Sequence, residues 1–253
     1  MNCRQRNYSA ENMGGKNMRI AVSGTYSSGK TTTTLALSHL TKMPRTHAKT
    51  MREILPEVLP GKRLEVCTMP ELFRLAIHRY TERVLHESKT GDSFLSDGSA
   101  LHEWAYGSGR LVYGINPSDP TSAQMLDPFT QRIYGEFIYN LGCVVKQYAQ
   151  ESYDVFIHLP IEFPLCKDGH RPVSEKFRRM TDELLISTLD ELAIKYYIVS
   201  GSIEERLKKI VEVLNLKTQM ELDEAVKLAY SETSAMQKEI ETYNNKILLD
   251  NLA

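Results

Sequence analysis

The chain has 253 residues, 42% of them hydrophobic and 25% charged, with a formal net charge of −1. This is enough chain for one well-filled α/β domain with a small addition, and the charge balance argues against nucleic acid or an anionic membrane as a partner. No apolar run approaches the roughly 18 residues a membrane span needs, and Cys3, Cys67, Cys143 and Cys166 lack the spacing of a zinc site or disulfide framework. The expected setting is a reducing cytoplasm.

Residues 1–17 are polar and without an apolar core, which predicts a disordered leader rather than a secretory signal. Arg19 to Ser23 then give a short, mostly apolar run suited to a buried strand. Gly24 to Thr31 follow at every fixed position of the phosphate-binding pattern G-x-x-x-x-G-K-S/T, and Leu35, Ala36 and Leu40 continue at helical spacing. Strand, glycine-bounded loop and helix aim successive backbone N–H groups at one anion. The expected ligand is a nucleoside triphosphate with Mg2+, bound by Gly24, Thr25, Tyr26, Ser27, Ser28, Gly29, Lys30, Thr31 and Thr32. In this reading Lys30 reaches the terminal phosphates and the Thr31 hydroxyl meets the metal.

Arg45 to Lys49 is a poor strand by composition but falls where a second β-unit is due. Thr50 to Leu59 reads as a short helix closed by Pro60-Gly61, and Pro70 to Lys89 as a longer one with a stripe of Phe73, Ile77, Tyr80 and Val84. Phe94 to Asp97 is a short strand ending in a carboxylate. Leu101 to Tyr106 is helical until Gly107 and Gly109 interrupt it, and the Asn-Pro and Asp-Pro pairs of 116–128 predict a loop.

Phe129 to Gln150 is a helix with Ile133, Phe137, Leu141, Val144 and Tyr148 on one face. Val155 to Leu159 is a strand, and Pro160 to Val173 is irregular. Glu175 to Ala193 is a helix with Phe177, Met180, Leu184, Thr188 and Leu192 inward. Lys195 to Ser200 is a strand, and Ile203 to Leu214 a helix with Ile203, Leu207, Ile210 and Val211 inward. The alternation predicts a parallel sheet wrapped by helices. From Thr218 to Leu249 two helical stripes follow, Leu222, Ala225, Val226, Ala229 and then Met236, Ile240, Tyr243, Ile247, expected to pack back on the core.

Two stretches carry further chemistry. Asp97 ends a strand at the edge where ligands gather, so it is a candidate for the metal shell or for orienting the nucleophile. Its alternative is to cap the next helix. Residues 167–179 cluster Lys167, His170, Arg171, Lys176, Arg178 and Arg179 on a proline-broken loop and a helix start. Arg171 and Arg178 are candidates to stabilise charge on a transferring phosphoryl group from a closing lid, about residues 160–178. The alternative is a solvated basic face.

With GTYSSGKTT, FLSDGSALHEWAYG, the DGHR with its downstream FRR, and YYIVSGSIEERL in order, the chain resembles P-loop kinases of the nucleoside and nucleotide kinase group. The likeness is greatest to AAA-type ATP-binding domains related to ribosylnicotinamide kinase. The resemblance covers about residues 18–212. It implies a three-layer P-loop NTPase fold, ATP with magnesium, and γ-phosphoryl transfer to a small-molecule acceptor. It also implies that Lys30 and Thr31 hold phosphate and metal, that Asp97 is the strand-terminal carboxylate, and that Arg171 and Arg178 are lid arginines.

The chain departs from that pattern in two places. Gly98 follows Asp97 where an arginine is frequent. Lys49 stands near Arg52 and Glu53 where an acid is frequent, which makes Lys49, Arg52 and Glu53 candidate acceptor contacts and suggests an acceptor of different charge, such as an anionic one. His47, His102 and Glu103 are weighed as site residues and expected to be structural. The domain plan is a leader (1–17), a kinase-like domain (18–214) and a C-terminal helical extension (215–253), the extension being the surface for any oligomer. The competing function is a nucleotide-dependent regulatory ATPase signalling through those helices. A GTPase switch is disfavoured because no Asn-Lys-x-Asp motif is evident.

Overall fold

The protein is described from a computed structural model, which covers residues 17–46, 48–122, 127–165 and 173–250. Most of the predicted leader, His47 and Arg171 lie outside the described residues, as do the side chains of Arg52, Ile240, Tyr243 and Ile247.

Strands β1 (Arg19–Ser23), β2 (Arg45–Thr46), β3 (Phe94–Asp97), β4 (Val155–His158) and β5 (Tyr196–Ile198) form one sheet in the order β2-β3-β1-β4-β5. Every pairing is parallel, with Val22 opposite Asp97 on one side and Ser23 opposite His158 on the other. Helices α1 (Lys30–Thr41), α2 (Met51–Val58), α3 (Met69–Thr90), α4 (Leu101–Tyr113), α5 (Pro128–Ser152), α6 (Glu175–Glu191), α7 (Ile203–Leu214) and α8 (Leu222–Asp250) surround it. This is the expected α/β P-loop arrangement.

Alternate strand residues feed two cores, as the two-residue period of a strand requires. Ala21, Phe94 and Phe156 join the core beneath α3, α4 and α5, whereas Ile20, Val22, Leu95, Val155 and Ile157 join the one beneath α1, α7 and α8. Both faces of the sheet are therefore covered, which is why its strands read as apolar runs without alternation.

Three expectations are corrected. Gly107 and Gly109 do not interrupt α4, which runs through both to Tyr113. They permit close packing instead: a Cβ on Gly107 would lie 2.5 Å from Ile138 of α5, and one on Gly109 would lie 2.6 Å from Phe177 of α6. The C-terminal segment is one continuous helix, α8, and not a pair. The buried face of α5 is turned by one residue, about 100°. Tyr134, Ile138, Leu141, Val145 and Ala149 are buried, while Ile133, Phe137 and Val144 are 38%, 44% and 50% exposed. Apolar residues surround α5 on both faces, so periodicity alone did not choose between them. Likewise β2 is only two residues long, and α6 buries Arg178, Thr181 and Asp182 alongside the expected Phe177 and Thr188.

The first part of α8 packs along α1. Ala225, Val226 and Ala229 are buried in that core, Gln219 N–H bonds the Leu40 carbonyl at 2.7 Å, and the Thr233 hydroxyl lies 3.4 Å from that of Thr32. Since residue 219 meets the end of α1 and residue 233 its beginning, the two helices run antiparallel. The chain of α8 therefore heads toward the carboxyl edge of the sheet.

Candidate active site

The loop between β1 and α1 sits at the carboxyl end of the central strand, where the connections diverge to opposite sides of the sheet. Gly24 has φ +137°, and a Cβ there would fall 2.6 Å from the Leu159 carbonyl oxygen and 2.7 Å from Ser28 Oγ. Only glycine fits. Gly29, at φ +85°, is the N-cap of α1, which has neither a side-chain cap nor an acid in its first turn. Its free N–H groups and dipole are thus offered to an anion. The Ser28 hydroxyl donates to the Thr25 carbonyl at 2.9 Å, and Lys30 Nζ donates to the same oxygen at 2.6 Å. Thr31 and Thr32 follow, half-buried, in the first turn of α1.

The loop is also held from outside. Buried Arg206 of α7 donates from Nη1 to the Ser28 carbonyl at 2.7 Å and from Nη2 to Glu162 at 2.7 Å. Glu162 in turn accepts from Gly201 N–H at 2.9 Å. Burial works to raise the Glu162 pKa, but the bonds from Arg206 and Gly201 outweigh it and hold the carboxyl below its usual range. On the other side His102 Nε2 lies 2.9 Å from the Gly24 carbonyl, and the Ser99 N–H donates to its Nδ1 at 3.0 Å. The Ser99 carbonyl is 3.1 Å from the same Nδ1. Burial, with Lys30 and Arg83 nearby, lowers the His102 pKa well below the ordinary value. His102 is a buttress of the loop.

Asp97 lies at the end of β3 beside the loop, with Oδ2 accepting from Arg45 Nη2 at 2.8 Å. Its backbone carbonyl accepts from buried Arg83 at 3.2 Å. Gly98, at φ +88°, follows. A Cβ at Gly98 would come within 3.2 Å of the Arg83 guanidinium, so the arginine from α3 occupies the space a side chain at that position would enter.

A narrow, partly open cleft lies against the loop, walled by Tyr26 together with Glu103, Tyr106 and Arg110 of α4 and Tyr134 of α5. Met51, Leu64, Leu72 and Ala76 supply its apolar side. Tyr26 stacks on Tyr106 with ring centroids 4.6 Å apart. Glu103 is fully buried, one oxygen receiving Arg79 at 3.2 Å, and its Oε1 has no hydrogen-bond partner among the described residues. Burial pushes the Tyr134 phenol up to about 12, with the Arg110 charge pulling the other way.

The remaining predicted residues have other surroundings. Lys49 Nζ pairs with Glu57 at 2.7 Å on the surface, which raises the lysine's pKa. Glu53 bonds the Thr50 N–H at 2.6 Å in a capping box that starts α2. Arg178 is wholly buried in the first turn of α6, donating to the Phe163 carbonyl at 2.7 Å. Arg110, Arg79, Tyr134 and Arg206 were not singled out by sequence. For α4 a signal exists: Glu103, Tyr106, Gly107 and Arg110 share one helical face, the spacing of a helix lining a cavity.

Strand, glycine-bounded loop and uncapped helix on a parallel sheet define a P-loop fold of the nucleotide-binding class. The chain belongs to the AAA domain family, whose sequence profile matches residues 19–206. None of the curated proteins matches it in sequence. In fold it is similar to deoxyadenosine kinase from M. mycoides solved with the products dCMP and a flexible dCDP (TM-score 0.54, 16% identity, 78% of this chain and 99% of that one). The same kinase with dATP bound gives a TM-score of 0.53 at 17% identity, again over 78% and 99% of the two chains. The NadR protein in complex with NR is similar over 80% of this chain and 52% of its own, with TM-score 0.52 and 15% identity. This chain thus spans about half the length of NadR. At such identities the likeness is one of fold.

Proposed function

We propose that this protein is an ATP-dependent kinase that transfers the γ-phosphoryl group to a hydroxyl of a small, nucleoside-like acceptor. One observation carries the reading: Tyr26 belongs both to the phosphate loop and to the wall of the neighbouring pocket. A ligand in that pocket lies next to whatever the loop holds, and in-line phosphoryl transfer needs that juxtaposition. The similar fold of a deoxyadenosine kinase supports the same class of acceptor.

The site residues fit ATP and magnesium, because the loop closes around Gly24 with no room for a Cβ and the first turn of α1 has no anion of its own. Lys30 would exchange the Thr25 carbonyl for the β- and γ-phosphates, and Thr31 would ligate the metal, with Asp97, oriented by Arg45, in its outer shell. Magnesium held there would supply neutralisation of the phosphate charge. Arg178, the predicted lid arginine within the described residues, would have to exchange the Phe163 carbonyl for a phosphate oxygen to serve the transfer. Glu103 receives the acceptor hydroxyl's proton on Oε1 while Arg79 holds the other oxygen. The acceptor half of the site therefore lies along α4, not at Lys49 and Glu53, whose carboxylate and ammonium already serve the α2 cap and a surface pair.

Purified protein with ATP, magnesium and pooled nucleosides should release ADP only when an acceptor is present. Lys30→Ala should reduce that rate by roughly a thousandfold or more. Glu103→Gln should lower kcat by about a hundredfold with little change in KM for ATP. Acceptor-independent turnover at the same rate would instead favour the regulatory ATPase, for which the contact between Thr233 of α8 and Thr32 of the phosphate-loop helix is the supporting observation.

A further inference from the structure

Four arginines are buried among the described residues: Arg83, Arg110, Arg178 and Arg206. Three have acceptors. Arg83 bonds Ser96 and the Asp97 carbonyl, Arg178 the Phe163 carbonyl, and Arg206 the Ser28 carbonyl and Glu162. Arg110 is 6% exposed, yet among the described residues no hydrogen bond or ion pair reaches it. Its guanidinium lies 5.7 Å from the centre of the Phe177 ring, and its Nε is buried without a partner. An arginine does not shed its proton, and a cation held out of water without a counter-charge is costly. A cation–π contact offsets only part of that cost.

Arg110 also lines the pocket beside the phosphate loop. It stands seven residues after Glu103 on the same helix, a rise of about 10 Å. Glu103 is at the loop end, next to His102, which bonds the Gly24 carbonyl. Arg110 is therefore at the far end. Tyr134, whose hydroxyl donates to no described residue, lines the pocket there as well. Glu103 is matched by Arg79, so among the described residues of the pocket wall the charge of Arg110 is the one without a paired carboxylate.

We propose that Arg110 binds a carboxylate on the acceptor, so that the substrate is a small hydroxyl compound carrying a single negative charge at the end remote from the hydroxyl that is phosphorylated. This rests on the kinase reading only for what happens at the loop end. One cation matches a monoanion. A phosphate dianion would bury an extra charge with no second cation to meet it. The anionic acceptor suggested by Lys49 is thus reassigned to Arg110, since Lys49 pairs with Glu57 at the surface.

The test uses the full chain and a panel of hydroxyl-bearing aromatic carboxylates, including pyridine and pyrimidine ribosides with a ring carboxylate, each paired with its carboxamide. Binding is measured by calorimetry, and ADP release is measured with ATP and magnesium. The expected result is at least one carboxylate bound tenfold or more tightly than its amide, with the preference abolished in Arg110→Met. The same variant should melt, without ligand, at or above the parent's temperature, because it removes an uncompensated charge. Equal binding of every pair overturns the assignment, as does a monophosphorylated riboside that binds better than all the carboxylates. An Arg110→Met protein that melts several degrees lower but keeps the preference also overturns it. Carboxylate preference without ADP release sinks the kinase reading and leaves Arg110 as an anion site. ADP release with amides and carboxylates alike does the reverse.

Discussion

His102 illustrates how a single buried side chain ties the sheet to its ligand loop. Its two ring nitrogens bridge the Gly24 carbonyl and the Ser99 backbone. Its folded pKa is depressed below 6.5 by burial and by Lys30 and Arg83. The unfolded chain therefore takes up a proton that the folded chain refuses, so stability falls as pH drops below about 6.5 and is fully present above it. For one such group the slope approaches about 1.4 kcal/mol per pH unit. Thermal melts between pH 7.5 and 5.5 should show this loss, and His102→Gln should flatten it while lowering stability at pH 7.5. A variant with the parent's pH slope would exclude His102 as the source. Glu162 adds a second, more acidic step: its depressed pKa gives stability above about 4.5 that is lost as the pH falls further.

At the scale of elements, α4 is the piece on which the site depends. Its outer glycines let two helices close on it, with Ile138 of α5 against Gly107 and Phe177 of α6 against Gly109. Both contacts bear on the pocket, because Tyr134 comes from α5 and Phe177 faces Arg110. Gly109→Ala would place a Cβ 2.6 Å from Phe177 and 3.0 Å from Thr181. The better helix propensity of alanine, worth about 1 kcal/mol, opposes an overpacking cost of roughly 1–3 kcal/mol. The expected outcome in a urea melt is net destabilisation, together with weaker ligand binding as α6 moves outward. A stabilised Gly109→Ala protein would show that the gap is not used.

At the scale of the molecule, the sheet order puts the phosphate loop, the end of β3 and the start of α4 on one edge, with α8 laid against the helix that follows the loop. Ending the chain before Leu222 should uncover the α1 face that Ala225, Val226 and Ala229 now cover. A loss of roughly 3–5 kcal/mol is expected from that burial, read as a lower urea midpoint. If the shortened chain does not fold, Ala229→Glu should give the milder form of the same loss. An unchanged midpoint for both would mean that α8 contributes nothing to the core.

The phosphate loop was legible in the sequence because its demands are local: Gly24 and Gly29 for backbone positions, Lys30 and Thr31 for chemistry, and an apolar strand before them. Strands β1, β3 and β4 were legible for a related reason, since burial on both faces leaves short apolar runs. Other features were decided only when elements met. Whether α5 turned Ile133 or Tyr134 inward depended on what α4 presented to it. Whether Gly107 and Gly109 broke a helix or let others pack against it depended on Ile138 and Phe177. The charge of Arg110 is visible in the sequence, but its lack of a partner is a property of the space around it. Local backbone chemistry thus determined the phosphate loop. The pocket beside it was decided by tertiary packing, which alone determines which buried charges find a partner and which do not.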